Sequence, residues 1–375
     1  MRICIVAHNA YRTISNSDTG HIGGVELQTS LMAKRLAKIG HEVSLITWLE
    51  GGPESEIFGG VHVIKTCHQD SGMPGIRFFY PRWSSLVKAL KTADADVYYQ
   101  NGAEYVTGQV AIWCKYNRRK FVFSTASDLD CHAELPFLTT VRERILYRYG
   151  LKTADRTVVQ TEDQKKNLRQ NFGVNSTVLP MPCDMTKDSH DGQISFAART
   201  PDVVLIGRIS KEKNIESFVS LAKSLPEYSF WLIGPDGSDA NYAAQIRRRA
   251  SDVGNLYVAG PLSRQDIRQV LGSTSLLCCT SHYEGFPNTF LEAWSQGVPV
   301  VSTVDPGRIL ANKEVGVFCE SPQDMTRCIA ELLASPQQLE VLSKSAEQYY
   351  CSTHYISSAI VGFNDLLVDT VQSGH

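Results

Sequence analysis

Two glutamates eight positions apart, Glu284 and Glu292, flank a predicted junction between a strand and a helix. The apolar run 276–280 before them is typical of a short buried strand, and residues 288–296 have the pattern of a helix that stops before Gly297. The start of a helix presents backbone N–H groups and a positive dipole end, which suit a diphosphate. Glu292 could accept hydrogen bonds from both hydroxyls of a ribose, and Glu284 from those of a second sugar. The spacing therefore predicts a binding site for a nucleotide-sugar.

Two cations follow another predicted strand, residues 203–206. They are Arg208 and Lys213 of the stretch Gly207-Arg-Ile-Ser-Lys-Glu-Lys213. A guanidinium offers a planar fork and an ammonium a point charge, so together they can neutralise a pyrophosphate. Lys211, between them, is interpreted as a solvated loop charge. Gly234 and Gly260 end the next two strands, where small residues let the backbone approach a ligand closely.

The elements that must position these groups alternate between short apolar strands and helical stretches, which predicts an α/β fold with largely parallel sheets. The predicted strands of the first half are residues 2–7, 42–47, 61–66, 96–99, 120–124 and 156–160, with a helix at 24–39. The predicted strands of the second half are residues 203–206, 230–233, 256–259, 275–280, 299–302 and 316–319. The rhythm restarts after the polar stretch 186–201, interpreted as a linker or sheet edge. The chain thus contains two Rossmann-like halves, one before this stretch and one after it. If their strand ends face each other, an active site is predicted in the cleft between them.

This arrangement resembles the retaining glycosyltransferases of the GT-B fold, glycosyltransferase family 4, also called glycosyl transferases group 1. In that family two glutamates with seven residues between them mark the donor site, and Glu284 and Glu292 match this spacing. The resemblance implies an acceptor domain, residues 1–185 plus a crossover helix at 355–375, and a nucleotide-sugar donor domain, residues 186–354. The donor-binding residues that it implies are Arg208, Lys213, Gly234, Leu262, Glu284, Gly285, Phe286, Pro287, Asn288, Thr289 and Glu292. Asn214 departs from the glycine that the family often has there.

In the first half the resemblance points to a Gly-Gly loop, Gly23 and Gly24, which in the family approaches the donor diphosphate and the acceptor. Glu26 is interpreted as a charge in the first turn of a helix. Many family members carry a His-Asp pair after the strand at 120–124, and here Asp128 matches while the histidine is missing. His132 could reach the same space, although a loop histidine without a role is the competing interpretation. The catalytic candidates are therefore Glu284, Arg208, Lys213, Asp128 and His132.

The reaction that these residues imply is transfer of a sugar from a nucleoside-diphosphate donor to a hydroxyl acceptor. No cofactor and no metal are expected: the sequence Asp128-Leu-Asp130 has the spacing of a metal pair, but it lies in the presumed acceptor domain. The two cations and the helix start would carry the leaving-group charge instead. By resemblance the stereochemistry at the anomeric carbon is retained, by front-side attack assisted by the departing phosphate.

Composition narrows the setting. No apolar run approaches the roughly 18 residues of a membrane span, and the ten cysteines are scattered, which favours free thiols in a reducing bacterial cytoplasm. Residues 1–200 carry 24 Lys and Arg against 20 Asp and Glu, and the remainder 13 against 19. That balance is too small for nucleic-acid binding. Three stretches that mix bases with aromatics, residues 77–83, 115–120 and 142–152, favour peripheral contact with the inner face of the cytoplasmic membrane. Ordinary packed helices are the alternative.

The sequence thus predicts a glycosyltransferase of bacterial surface-polysaccharide assembly, acting on a glycan or lipid-linked glycan. A nucleotide-sugar epimerase or synthase of the same fold is a second hypothesis. A nonenzymatic nucleotide-binding subunit is a third, which the missing histidine keeps open. The nucleotide base, donor sugar, acceptor, linkage and oligomeric state do not follow from the sequence.

Overall fold

The computed structural model describes residues 1–17, 23–185 and 201–373. The chain divides into two compact units. The first comprises Met1–Pro182 together with Ile356–His375, and the second comprises Cys183–Tyr355. Of the predicted linker at 186–201, all but Pro201 lies outside the described residues.

The first unit is built on an eight-stranded sheet. Its strands are β1 (Arg2–Val6), β2 (Glu42–Thr47), β3 (Ser55–Phe58), β4 (Val61–Lys65), β5 (Val97–Asn101), β6 (Lys120–Ser124), β7 (Arg156–Val159) and β8 (Thr177–Val178), in the order β3-β4-β2-β1-β5-β6-β7-β8. All neighbours pair in parallel except β3 and β4. The central strands are buried on both faces, which is why they appear in the sequence as continuous apolar runs.

The antiparallel strand β3 and the short edge strand β8 are absent from the sequence prediction. Ser55-Glu-Ile-Phe58 is partly exposed at the sheet edge, so its apolar signal is weak. Gly59 and Gly60 both adopt positive φ angles, 58° and 81°, and form the two-residue turn into β4. This Gly-Gly pair between two short strands is the hairpin signal that could have predicted β3.

Helices cover both faces of this sheet. They are α1 (Tyr11–Ile14), α2 (Gly24–Lys38), α3 (Ser84–Ala93), α4 (Tyr105–Tyr116), α5 (Val141–Thr153) and α6 (Glu162–Phe172). Helix α2 ends one residue earlier than predicted, and Gly40 follows with a φ of 100°, which a residue with a Cβ rarely adopts.

The second unit repeats the plan with a six-stranded parallel sheet. Its strands are β9 (Val203–Ile206), β10 (Phe230–Ile233), β11 (Leu256–Gly260), β12 (Leu276–Cys279), β13 (Val300–Ser302) and β14 (Gly316–Phe318), in the order β11-β10-β9-β12-β13-β14. Its helices are α7 (Ile215–Ser224), α8 (Ala240–Ser251), α9 (Arg264–Gly272), α10 (Asn288–Ser295), α11 (Ile309–Lys313), α12 (Pro322–Leu333) and α13 (Pro336–Tyr349). The six strands confirm the predicted Rossmann-like second half.

The last helix, α14 (Ile356–Gln372), belongs to the first unit although it follows the second in sequence. Its Ile360, Phe363 and Leu367 are buried in the same core as Ile3 and Ile5 of β1. Arg35 of α2 also donates to the hydroxyl of Ser357 at 3.0 Å. The chain therefore returns to its starting unit through an apolar helix face.

The strand order reverses once in each sheet, between β1 and β5 and between β9 and β12. In open α/β sheets, ligands bind outside the carboxyl ends of the strands at such a switch point. Each unit therefore has one edge at which functional side chains are expected. All ten cysteines are free thiols, and none of the helices in the described part of the chain is long and apolar enough to cross a membrane.

Candidate active site

Two of the predicted catalytic residues, Lys213 and Glu284, meet at the switch point of the second sheet. The Lys213 ammonium contacts Oε1 of Glu284, which also accepts a hydrogen bond from the Ser281 hydroxyl at 2.6 Å. Thr280, which follows β12, donates to the Lys213 carbonyl at 2.8 Å. Two loops far apart in sequence are thereby tied together beyond adjacent strand ends, and a cation and a carboxylate lie side by side.

Arg208 lies in the same loop and is not drawn into this pair. Its guanidinium lies 3.5 Å from a carboxylate oxygen of Glu212, and 55% of its side chain is exposed. Lys211 is 72% exposed and pairs with Asp239 at 2.9 Å, which agrees with its interpretation as a solvated charge. Arg208, five positions before Lys213, therefore has an exposed guanidinium whose ion pair with Glu212 is a weak surface contact.

The turn between Arg208 and α7 explains why Asn214 can replace the glycine that the family often has. Residues Lys211–Lys213 form one turn of 3-10 helix, and Asn214 follows with φ 48° and ψ 51°, in the left-handed region. Asparagine tolerates this region better than other residues with a side chain. The departure from the family pattern therefore preserves the backbone geometry that presents Lys213.

Glu292 is almost completely buried, on the inner side of α10. Burial raises the pKa of its carboxyl above the ordinary value, and the charge of Arg264 opposes the rise. The closest guanidinium nitrogen of Arg264 is 3.9 Å away. A buried carboxylate whose partner is that distant is poised to accept hydrogen bonds from a ligand.

Arg264 and Ser281 are the site residues that sequence reasoning missed. Arg264 opens α9 directly after Ser263, and its Nε is buried without a partner among the described residues. Both stand just beyond the carboxyl end of a strand, β11 for Arg264 and β12 for Ser281. A search for polar residues just beyond the carboxyl ends of the predicted strands could have found both.

Helix α10 begins where it was predicted, with Pro287 as its N-cap and Asn288 as its first residue. Proline has no side-chain oxygen that could cap the helix, so capping of the first turn falls to other groups. Phe286 and Pro287 are buried, and the Phe286 ring packs 6.3 Å from Trp294 and 5.2 Å from His354. These two residues therefore fix the loop by packing. Gly285, Asn288, Thr289 and Leu262 are half-buried at this edge.

The predicted residues of the first unit lie at its own strand ends. Gly23 is the N-cap of α2 and Gly24 is its first residue. A Cβ on Gly23 would come within 2.0 Å of the Glu26 carboxylate, which folds back over the helix start. Glu26 is thus a first-turn charge, as predicted, and the small size of Gly23 is what gives it room.

Asp128 and His132 flank one turn of 3-10 helix, Asp128–Cys131, after β6. Burial raises the pKa of Asp128, whose carboxylate accepts a hydrogen bond from Gln164 at 2.9 Å. His132 is exposed. Asp130 is buried and accepts from the backbone N–H of Ala126 at 2.7 Å, and burial raises its pKa to about 6. Asp130 therefore organises the loop. The described residues contain no cluster of three or more His, Cys, Asp or Glu side chains arranged to hold a metal ion.

Comparison with known proteins assigns both halves of the chain. Residues 186–349 match the family Glycosyl transferases group 1, and residues 22–187 match Glycosyltransferase Family 4. The fold is similar to that of HepE of Anabaena, solved in complex with UDP and glucose, with a TM-score of 0.76 and 16% identity over 98% of this chain and 99% of that one. Each half of the chain thus matches a glycosyltransferase family, and the fold is of the GT-B type.

Two curated relatives carry the name of a biosynthesis glycosyltransferase. The lipopolysaccharide core biosynthesis glycosyltransferase LpsE of Rhizobium meliloti is 31% identical over 31% of this chain and 33% of its own length. The amylovoran biosynthesis glycosyltransferase AmsD of Erwinia amylovora is 22% identical over 60% of this chain and 66% of its own. The alignments thus span from a third to just under two thirds of these two relatives.

One backbone position of the second unit carries a stability prediction. Gly234, directly after β10, has a φ of 146°, and a Cβ there would lie 2.0 Å from the Gly207 carbonyl oxygen. We expect Gly234→Ala to destabilise the protein by about 2 kcal/mol or more, because both the backbone angle and the contact are unfavourable. Thermal unfolding would measure the change. Gly254→Ala is the matched control, since nothing lies within 4 Å of a Cβ there, and an equal loss in both variants would contradict the prediction.

Proposed function

We propose that this chain is a retaining, metal-independent glycosyltransferase that moves a sugar from a nucleoside-diphosphate sugar to a hydroxyl of a glycan or lipid-linked glycan in bacterial surface-polysaccharide biosynthesis. The observation that carries the proposal is the convergence of Lys213, Glu284 and Ser281 at the switch point of the second sheet. Arg208 from the same loop and the buried Glu292 extend the group. Such a set offers cations for a diphosphate and carboxylates for sugar hydroxyls.

The donor pose that we propose assigns one role to each residue. Glu292 would accept hydrogen bonds from the ribose hydroxyls, and these would replace its long contact with Arg264. Arg208 and Lys213 would bind the diphosphate together with the start of α10. Glu284 would then release Lys213 and accept from hydroxyls of the transferred sugar. Gly234 lies at the same sheet edge, where a Cβ would come within 2.0 Å of the Gly207 carbonyl oxygen, so glycine keeps this backbone in place.

The chemistry follows from where charge develops. As the bond to the anomeric carbon breaks, negative charge grows on the departing diphosphate, and preorganised cations lower the energy of that transition state. Arg208 and Lys213 can supply this stabilisation without a metal ion. We propose front-side attack, with the departing phosphate taking the proton of the acceptor hydroxyl and the configuration retained. Product stereochemistry, read by NMR of the anomeric proton, would test this part.

The experiment that tests the function begins with nucleotide binding. Thermal unfolding would be followed with UDP, GDP, ADP and CMP, with and without Mg²⁺, because a ligand at 100 times its Kd stabilises a protein by about 2.7 kcal/mol. We expect one nucleoside diphosphate to raise the melting temperature independently of Mg²⁺. The matching sugar donors would then be incubated with membrane-extracted glycans to detect transfer. The absence of any nucleotide shift would refute the donor site.

The same experiment separates the alternative functions. Conversion of the donor to an isomeric sugar without an acceptor would identify an epimerase. Nucleotide binding with neither transfer nor hydrolysis in any acceptor pool would identify a nonenzymatic binding subunit. Transfer to a glycan acceptor supports the proposal, and the nucleotide that binds names the base.

We also propose that the first unit contacts the inner face of the cytoplasmic membrane through a defined surface patch. Residues 76–80 and 141–145, which overlap two of the predicted basic-aromatic stretches, carry exposed apolar side chains. The two segments meet where the Arg142 guanidinium lies 3.8 Å from the ring centre of Phe78. The patch consists of Ile76, Phe79, Tyr80, Val141 and Ile145, which are 52–72% exposed. Arginines around these side chains suit anionic headgroups.

Vesicle sedimentation tests the patch. We expect the protein to bind vesicles containing phosphatidylglycerol and to bind phosphatidylcholine vesicles several-fold less, because each basic residue near an anionic surface contributes about 1 kcal/mol. Replacing both Phe79 and Tyr80 by serine should reduce binding to the anionic vesicles. Tyr257→Ser provides a control, since this tyrosine is 56% exposed in the second unit. Equal binding by both variants would argue against the patch.

A further inference from the structure

A buried histidine, His8, lies at the switch point of the first sheet. His8 follows β1 by two residues and is 7% exposed. Its ring stacks on Trp48, with ring centres 4.0 Å apart and planes 15° from parallel, and the Trp48 N–H donates to the His8 carbonyl at 2.8 Å. The ring is therefore held in one place by the residue that follows β2.

The free nitrogen of His8 requires an explanation. Its Nε2 is buried and has no hydrogen-bond partner among the described residues. Burial, with the charge of Arg82 adding to it, lowers the pKa of His8 to about 3, so the imidazole is neutral at pH 7. A buried polar atom left without a partner costs about 1–3 kcal/mol, and such atoms are rare in native proteins. A ligand atom that bonds to Nε2 would remove this cost.

Arg82 is a second group of this region with an unsatisfied atom, and it lies close enough to His8 for its charge to lower the pKa of the imidazole. Its Nε is buried and has no hydrogen-bond partner in the part of the chain that the structure describes, while one terminal nitrogen donates to the Gln69 carbonyl at 2.6 Å. Within residues 1–17, 23–185 and 201–373, no carboxylate lies within 4 Å of its guanidinium. Arginine stays protonated in proteins, and a partly buried cation without a counter-charge is unfavourable. This arrangement favours an anion beside Arg82.

The surroundings complete a small recognition surface. Tyr105 opens α4 after β5. Burial raises its pKa, as do the charges of Glu104 and Glu143, while Arg82 lowers it through its charge and a side-chain hydrogen bond, which places the hydroxyl beside the guanidinium. The Tyr105 ring packs 5.5 Å from Phe78. His8 after β1, Trp48 after β2 and Tyr105 after β5 thus converge at the edge where open α/β sheets bind ligands.

We propose that His8 and Arg82 form a subsite for an oxyanion, a phosphate or a carboxylate, carried by the acceptor of the transfer reaction. The planar guanidinium fork pairs with two oxygens of such a group, and the neutral imidazole supplies one further hydrogen bond through Nε2. The inference rests on the proposed function, because it assigns an anionic acceptor to the first unit. It also gives Arg82 a different role from Arg77, an exposed arginine of the same basic-aromatic stretch.

Calorimetry on the full chain tests the subsite. Inorganic phosphate, glucuronate and neutral glucose would be titrated into the Arg208→Ala, Lys213→Ala double variant, so that the proposed donor site does not compete for the anion. We expect one saturable site for phosphate or glucuronate, and the tighter of the two names the kind of acceptor group. Glucose should bind at least tenfold more weakly, because it lacks the charge that Arg82 needs.

Variants assign the site. Adding Arg82→Gln should weaken anion binding at least tenfold, and adding His8→Asn should weaken it less. Arg169→Gln, which removes an exposed arginine of α6, should leave it unchanged. Where a variant does not fold, the protein of natural sequence can be treated with phenylglyoxal, which modifies arginines. Mass spectrometry would then show whether phosphate protects Arg82. Anion binding that is absent, or that survives Arg82→Gln with no protection of Arg82, would overturn the inference.

Failure of this inference and failure of the proposed function give different results. A nucleoside-diphosphate thermal shift that persists in Arg82→Gln, combined with no anion binding, leaves the donor site standing and removes the subsite. Anion binding that depends on Arg82, with no nucleotide shift in the natural sequence, supports the oxyanion site and refutes the glycosyltransferase donor site.

Discussion

Replacement of Lys213 by alanine is expected to lower kcat by roughly 10²–10³-fold, the loss seen when one preorganised charge-stabilising group is removed from an active site. Lys213 is the cation that β12 and its following loop hold in place, through Glu284 and Thr280. Its charge would meet the departing diphosphate in the transition state, so the loss should fall on kcat more than on KM. Steady-state kinetics with the donor found by nucleotide screening would measure it.

The chain provides a matched control two positions away. Lys211→Ala removes an exposed lysine of the same turn, which pairs with Asp239. This variant should change kcat less than twofold, because an exposed surface charge is screened by solvent. The pair Lys213→Ala and Glu284→Gln should be strongly non-additive, since each removes the other's partner. Equal losses in Lys211→Ala and Lys213→Ala would count against a specific catalytic contact.

Glu292→Gln should separate ligand binding from stability. We expect the variant to bind the nucleoside diphosphate about 10–100-fold more weakly, because hydrogen bonds to a charged acceptor contribute roughly 1.5–3 kcal/mol. The carboxylate is buried on α10, so glutamine of the same shape keeps the packing while losing the charge. Isothermal titration with the nucleoside diphosphate would give the change in Kd.

The same variant should melt at a higher temperature than the natural sequence when no ligand is present. Burial raises the pKa of Glu292, so the folded chain holds this proton more tightly than the unfolded chain. Stability is therefore lost as pH rises from below the ordinary pKa of 4.5 through the raised folded value, so the cost is larger at pH 7.5 than at pH 4. Glutamine removes it. Melting curves at pH 4 and pH 7.5 should show a larger gain at the higher pH.

Glu320→Gln is the matched control for Glu292→Gln, because Glu320 is exposed. It should change neither the Kd for the nucleotide nor the melting temperature. A Glu292→Gln variant that binds nucleotide normally would remove the ribose contact from the proposed site, and one that melts at a lower temperature at pH 7.5 would show that Arg264 needs the carboxylate more than burial penalises it.

Local sequence patterns were enough to predict most strands and helices and the donor signature. Strands buried on both faces appear as apolar runs, so β2, β6, β9 and β10 were predicted at their observed bounds. Helix α10 was predicted between Pro287 and Gly297 because proline and glycine act locally on the backbone. The edge strand β3 was missed because a half-exposed strand has little apolar pattern.

Which side chains meet depends on the assembled sheets and not on any local pattern. Lys213 and Glu284 are 71 positions apart, and their contact depends on β9 and β12 being neighbours in the sheet, which no local pattern specifies. Arg264 near Glu292, and the unpartnered nitrogens of His8 and Arg82, likewise follow from strand order and burial. Spacing along the chain encodes helices, strands and their caps, because those depend on near neighbours. The charge and solvation of each site residue depend on distant segments, and these are fixed only when the sheets assemble.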